Sequence, residues 1–268
     1  MRSRTMLFIR IVIISCFSQL LTACVAVPIL IDLPHRHHSS PESNGKDHSS
    51  FTFSLSGITK AELSPDYDTT PANTDAPELD NNLITHLDGS FGLADRLDGS
   101  ITIDATYKDN ENTREVRVGM IGLKYQFVGQ PANQAKPGNF SAAIEFDISN
   151  IKNSYTNDNN GNGYRANNNY QGIQLLFGYR NPDNSVAYGK LFQATHHLTG
   201  NTTLAGTDYP FRGEVEESGA GFGVLSAGET NPHGLITRYG FELTRHNYAF
   251  RLDSKTDTRF SIGLILYY

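Results

Sequence analysis

The chain is poor in cysteine. Its only two, Cys16 and Cys24, fall within the first 24 of 268 residues, so nothing downstream can be stapled by a disulfide and stability must come from strand pairing and packing. Excess positive charge is missing as well: 22 Lys and Arg stand against 28 Asp and Glu, a formal net charge of −6. That balance gives no electrostatic case for nucleic acid as a partner. A long apolar stretch occurs only near the N-terminus, residues 7 to 33, where Arg10, Gln19 and Pro28 interrupt it; a spanning helix needs roughly 20 mostly apolar residues. No internal repeat, coiled-coil heptad or Gly-x-Ser-x-Gly nucleophile elbow is present. The mean hydropathy of −0.39 suits a soluble protein, but alternating membrane strands hide their lipid face from any averaged scale.

What is there begins with an export signal. Arg2, Arg4 and Arg10 precede an apolar run over residues 11 to 21, the basic n-region and apolar h-region of a segment removed from the mature protein. The run stops at Leu21-Thr22-Ala23-Cys24, which resembles the bacterial lipoprotein box. The resemblance implies removal of residues 1–23, a lipidated Cys24 and handling by lipoprotein sorting machinery. Val25 stands where an Asp would hold a lipoprotein at the inner membrane, so the resemblance also implies onward sorting to the outer membrane. The 245 residues from Cys24 onward are enough for one barrel domain.

From residue 51 short alternating segments recur between turn-rich stretches, as an antiparallel barrel requires. Ile101, Ile103, Ala105 and Tyr107 face one way and Ser100, Thr102, Asp104 and Thr106 the other. Phe140, Ala142, Ile144, Phe146 and Ile148 repeat the pattern, as do Ile173, Leu175, Phe177 and Tyr179. Further strands are expected near 51–61, 84–92, 116–127, 186–197, 210–225 and 234–250. Connections at 93–96 and 181–184 are tight, whereas 62–83, 150–169 and 198–209 are long and polar, the asymmetry of periplasmic turns and external loops. Residues 128–139 are long for a periplasmic turn. The strand-turn-strand at 91–98 looks like one found repeatedly in porin-like families.

The last ten residues, Arg259-Phe-Ser-Ile-Gly-Leu-Ile-Leu-Tyr-Tyr268, put Phe260, Ile262, Leu264, Leu266 and Tyr268 on one face. With Ser261, Gly263, Leu266 and the terminal aromatic Tyr268, this stretch resembles the C-terminal assembly signal of Gram-negative outer-membrane β-barrels. The resemblance implies barrel assembly machinery as a partner and outer-membrane lipids as the surroundings. Together the strands make an all-β, antiparallel up-and-down transmembrane barrel of about ten strands, with eight or twelve as alternatives, over residues 51–268. An even count puts both barrel ends on the periplasmic side, with the Cys24 anchor beside them.

Residues 24–50 read as a lipidated tether, because the stretch from Pro34 to Ser50 is rich in Ser, Pro, Gly and His and cannot support a packed core. His35, His37, His38 and His48 are good ligand types for zinc, copper or nickel, but a flexible tether offers no fixed geometry, so no metal or cofactor is expected. Asp158-Asn-Asn160-Gly-Asn162-Gly163 opens like a calcium loop; Asn169 stands where a bidentate Glu is needed.

The inward face is expected to carry His86, Asp88, Asp104, Lys124, Glu145, Asp147, Arg180, Arg238, Glu242 and Arg259. In a narrow lumen these must pair with one another and with water, because a desolvated lone charge is costly. His86, Asp88, Asp147 and His246 fall towards the outer rim and are the only residues placed for a hydrolase with a His base and Asp orienter; no signature of a known barrel enzyme accompanies them. The sequence therefore points to a non-enzymatic surface binding, accessory or structural barrel with an unidentified external ligand. The alternatives are a narrow channel for small solutes or ions, the rim hydrolase, and a soluble periplasmic β-sandwich.

Overall fold

A computed structural model describes residues 29–63, 78–108, 113–156, 162–204, 206–231, 234–250 and 254–268, with side chains left undescribed near several strand ends. The signal segment, Cys24 and Asp158 to Asn160 of the calcium-like loop lie outside the described residues, as does the side chain of Asp104.

The described chain has no helix. Its strands are β1 (Ile29–Leu33), β2 (Ser49–Leu63), β3 (Glu78–Ala94), β4 (Leu97–Lys108), β5 (Thr113–Val128), β6 (Phe140–Thr156), β7 (Gly163–Arg180), β8 (Val186–Leu204), β9 (Thr207–Leu225), β10 (Glu229–Thr230), β11 (Ile236–Ala249) and β12 (Ser254–Tyr267). Ten of them, β2 to β9 with β11 and β12, pair antiparallel in sequence order, and β12 returns to β2 to close a barrel. The ten-stranded closed architecture is the one the alternation predicts. Closure removes the sheet's edges where all ten strands pair; beyond that belt, among the described residues, β6 after Ile148 is not paired with β5, and β9 before Glu216 is not paired with β11.

The wall is inverted relative to a soluble protein. Large apolar side chains point outwards, among them Phe53, Ile148, Phe222, Phe241 and Phe260, each at least 45% exposed. Charged and polar side chains such as Lys190, Glu242 and Glu217 point inwards at no more than 1% exposure. On β7 the outward Ile173, Leu175, Phe177 and Tyr179 alternate with inward Gln174, Leu176, Gly178 and Arg180, as expected from the pattern.

One mouth collects the ends of the barrel. Ser49 and Tyr268 exchange backbone hydrogen bonds at 2.9 and 2.8 Å there, and the connections 95–96 and 181–185 turn at the same mouth. In the second turn Asn184 adopts a positive φ of 67°, and the exposed Asp183 carboxylate accepts bonds from the Ser185 N–H and hydroxyl at 2.9 and 2.7 Å. Those two donors hold its carboxyl below the ordinary Asp range.

At the other rim the strands run further than the sequence pattern suggests. Most of 150–169 and 198–209, expected as polar loops, is strand: β6 reaches Thr156, β7 starts at Gly163, and β8 and β9 meet near 205. Their outward residues here are polar, including Lys152, Gln171, His197, Glu214 and Glu216. The apolar side chains here lie on the inward side instead, among them Ile151, Tyr164, Leu198, Phe211 and Val215, so the alternation reverses its phase along each strand while β6 to β9 stay paired with one another to their far ends.

Candidate functional site

The His-rich stretch read as a flexible tether is instead packed inside the barrel. β1 pairs with residues 59–63 of β2 at the rim far from Tyr268, where β12, paired only with residues 50–56, leaves room. From Leu33 the chain runs down the lumen to the opposite mouth, and residues 33–44 are all buried. Composition was misleading because these polar groups need no apolar core; their partners are wall side chains.

Arg36 sits among three carboxylates, with its Nε 2.9 Å from Asp147 Oδ1 and 3.6 Å from Glu145, and a terminal nitrogen 3.7 Å from Asp88. Glu242 accepts from His37 Nδ1 (3.1 Å), the His38 backbone N–H (3.0 Å), Lys190 Nζ (2.8 Å) and the Tyr188 hydroxyl (2.9 Å). His38 Nε2 reaches Ser261 Oγ at 2.8 Å. Towards the mouth Glu42 binds Arg180 through both carboxylate oxygens. Lys124 Nζ contacts Asp98 at 3.2 Å and donates to the Glu42 carbonyl at 2.9 Å, while the Ser43 N–H donates to Gln126 Oε1 at 2.8 Å.

Space for the segment comes from glycines on the inward face. A Cβ on Gly240 would stand 2.8 Å from His38 Nδ1, one on Gly263 would stand 3.0 Å from the same ring, and one on Gly178 would stand 2.9 Å from Pro41 Cγ. The long turn at 128–139 has its explanation here as well. It folds beneath the mouth as a floor: Ala132 N–H donates to the Ser43 carbonyl at 2.7 Å, and Asn139 Nδ2 donates to Glu42 at 3.1 Å.

The expected lumen charges are therefore brought together, but largely through the threaded segment rather than with one another. Lys124, Glu145, Asp147, Arg180 and Glu242 all contact it. Arg259 pairs with its neighbour Asp257 at 3.1 Å and contacts the Tyr248 hydroxyl. Arg238 donates to the Asn184 and Ser226 carbonyls at 2.8 and 3.1 Å, pinning two turns. Of the assembly-signal residues, Tyr268 is exposed outside, whereas Ser261 and Gly263 face the lumen against His38.

His86, Asp88, Asp147 and His246 lie in the lumen, each at most 9% exposed, rather than at an open rim. Asp147 is held by Arg36 and by Gln174 at 3.0 Å, and Asp88 accepts from Thr102 at 2.5 Å and faces Arg36. His246 belongs to a different chain of bonds: Thr244 Oγ1 is 2.8 Å from its Nε2, its Nδ1 is 2.5 Å from Glu217 Oε1, and Glu217 Oε2 is 3.0 Å from His196 Nε2. The imidazoles form a row across the lumen, with ring centres 4.6 Å apart from His246 to His35, 5.3 Å from His35 to His37 and 5.8 Å from His37 to His86.

Sequence reasoning missed Glu217, His196, Lys190 and Asp98. Each falls on the inward parity of its strand: Lys190, His196 and Glu217 lie within 186–197 and 210–225, expected as strands but not divided into faces, and Asp98 lies on β4 two residues before Ser100, so the alternation that assigned Glu145 and Asp147 would have found them had it been applied there. No protein-family model matches the chain, and no curated protein matches it.

Proposed function

We propose that this chain is a self-plugged outer-membrane barrel, lipid-anchored at Cys24, acting as a non-enzymatic binding, accessory or structural protein through its far rim. The observation that carries the reading is a lumen filled by the chain's own residues 33–44, buried throughout. A filled lumen favours this role over a solute channel. A hydrolase is disfavoured too, because the His and Asp side chains that would serve it are engaged with the plug or buried behind it.

The membrane assignment rests on the outer face. Outward apolar residues on β6 run from Phe140 to Ile148, about 27 Å along a strand and about 20 Å in height once tilted, close to the ~25 Å apolar band of such barrels. Lipid surrounds this band, and the strand extensions stand above it. The C-terminal signal calls for barrel assembly machinery and the lipoprotein box for sorting machinery.

Barrels of this kind place short turns towards the periplasm, so the Tyr268 mouth is periplasmic and the β1 rim external. Four residues lie between Cys24 and Ile29, so five backbone steps give a reach of at most about 18 Å. The acyl group then belongs to the external side, not beside the barrel's periplasmic ends. An epitope inserted after Val27 should be stained by antibody on intact cells; staining only after permeabilisation would return the anchor to the periplasm.

Conductance in planar bilayers tests the plug. Wild-type protein should give no steady channels, while replacement of residues 35–44 by Gly and Ser should open them. Steady wild-type conductance would favour the channel instead.

A further inference from the structure

We propose that the lumen binds one divalent transition-metal ion, of the zinc, copper or nickel class, between His35 of the plug and Glu217 and His246 of the wall. The three residues each offer one ligand atom, all within 4.8 Å of one another, and all three side chains are buried. In the sequence the histidines of residues 35–38 have no fixed geometry. Threading through the barrel supplies that geometry.

The distances suit a small ion. Tetrahedral coordination with bonds of about 2.0–2.1 Å sets donors about 3.4 Å apart. His246 Nδ1 lies 2.5 Å from Glu217 Oε1, and His35 Nδ1 lies 3.8 Å from the same oxygen, so one edge opens and the other closes by less than about 1 Å. An independent observation points to the same place: His35 Nδ1 is buried and has no hydrogen-bond partner. A metal ion would remove that deficit. Two imidazoles and one carboxylate select a borderline dication over calcium or magnesium, which take oxygen donors; water fills the fourth position.

The surrounding groups can accept the change in protons. Coordination at His246 Nδ1 moves the ring hydrogen to Nε2, where Thr244 Oγ1 at 2.8 Å turns from donor to acceptor. Glu217 Oε2 keeps His196 at 3.0 Å. Coordination at His35 Nδ1 displaces the hydrogen of that nitrogen, and the one hydrogen between Nε2 and Lys190 Nζ continues to bridge them at 3.1 Å, with Lys190 still donating to Glu242 at 2.8 Å and the Arg36 carbonyl at 2.9 Å. One proton leaves the site. Because one ligand belongs to the plug and two to the wall, the ion staples plug to barrel.

The test uses tag-free protein in detergent, stripped with chelator and titrated with Zn2+ by calorimetry, with Co2+ absorption reporting coordination. Wild type should bind one equivalent, show the intense visible bands of tetrahedral cobalt, and protect the plug from protease. His35→Ala and His246→Ala should each weaken binding about 100-fold or more, and Thr244→Val, which keeps every ligand, about 10-fold. His48→Ala and His197→Ala, outside the lumen cluster, should match wild type. Heat-modifiable mobility on gels verifies that each variant is a closed barrel; if His35→Ala fails that check, Thr244→Val decides. No stoichiometric binding by wild type, binding that survives both His35→Ala and His246→Ala, or binding that depends on His48 or His197 would overturn the proposal.

Discussion

Residues 260–268 and residues 33–44 are similarly short and belong to one barrel, yet they are stabilised in opposite ways. The first puts Phe260, Ile262 and Tyr268 on the outside at 50% exposure or more, and its place follows from alternation alone. The second is buried throughout, and its place follows from partners far along the chain, such as Asp95 for Ser43, 52 residues away, and Ser261 for His38, 223 residues away. A wall strand is specified by a local period. A plug is specified by complementarity to a surface that exists only after closure.

The comparison is broken most severely at Arg36. Reversing its charge with Arg36→Glu would set four carboxylates together in the lumen, and loss of a buried ionic partner costs about 3–5 kcal/mol. The urea midpoint of protein refolded in lipid vesicles should fall accordingly; an unchanged midpoint would mean that the segment contributes nothing to the folded barrel.

The wall has its own internal contrast along β7, where Leu175 and Asn167 lie on the outward side eight residues apart. Leu175→Arg should cost about 2–4 kcal/mol in vesicles, whereas Asn167→Arg, paired with Lys152 above the apolar band, should stay within about 0.5 kcal/mol. Equal costs would erase the distinction between the membrane-facing wall and its extension.

Much of the fold was legible for this reason. Phe146 beside Asp147, or Phe177 beside Gly178, fixes which face is wet, and ten such segments fix the barrel. The far halves of β6 to β9 were not legible, because there the outward side chains turn polar while Ile151, Tyr164, Leu198, Phe211 and Val215 point inwards, which reverses the phase of the alternation partway along each strand. The plug was hidden for a different reason: His35 to Asn44 has no apolar periodicity, and a polar segment bound by polar groups has the composition of a loop. Even so, inward glycines left a trace. Gly178, Gly240 and Gly263 are unexpectedly small for a narrow lumen, and a lumen lined with glycine has room for something else.

Filling that room should therefore weaken the plug while sparing the wall. Gly240→Leu drives carbon into the His38 ring, and such overpacking costs about 1–3 kcal/mol; protease should then reach residues 33–44 while the heat-modifiable gel shift persists. A resistant plug would show that the glycines are not its seat.

The smallest effect belongs to the turn. Asp183 is held below the ordinary Asp value by Ser185, so its contribution is present above about pH 3.9 and is lost as pH falls through the lowered value. Asp183→Asn should give a slightly lower unfolding midpoint than wild type at pH 7, with the two curves converging in strong acid. Divergence on acidification would have the wrong sign.

The most direct test of the threaded lumen is a crosslink. Pro41 Cγ lies 2.9 Å from where a Cβ on Gly178 would stand, so Pro41→Cys with Gly178→Cys, in a refolded chain starting at Val25, places two thiols together and leaves no other cysteine. Oxidation should give an intramolecular disulfide between residues 41 and 178 in essentially every molecule, detected as a linked peptide pair by mass spectrometry. Two freely alkylatable thiols in a barrel that is otherwise closed would contradict the account, because the segment would not be in the lumen.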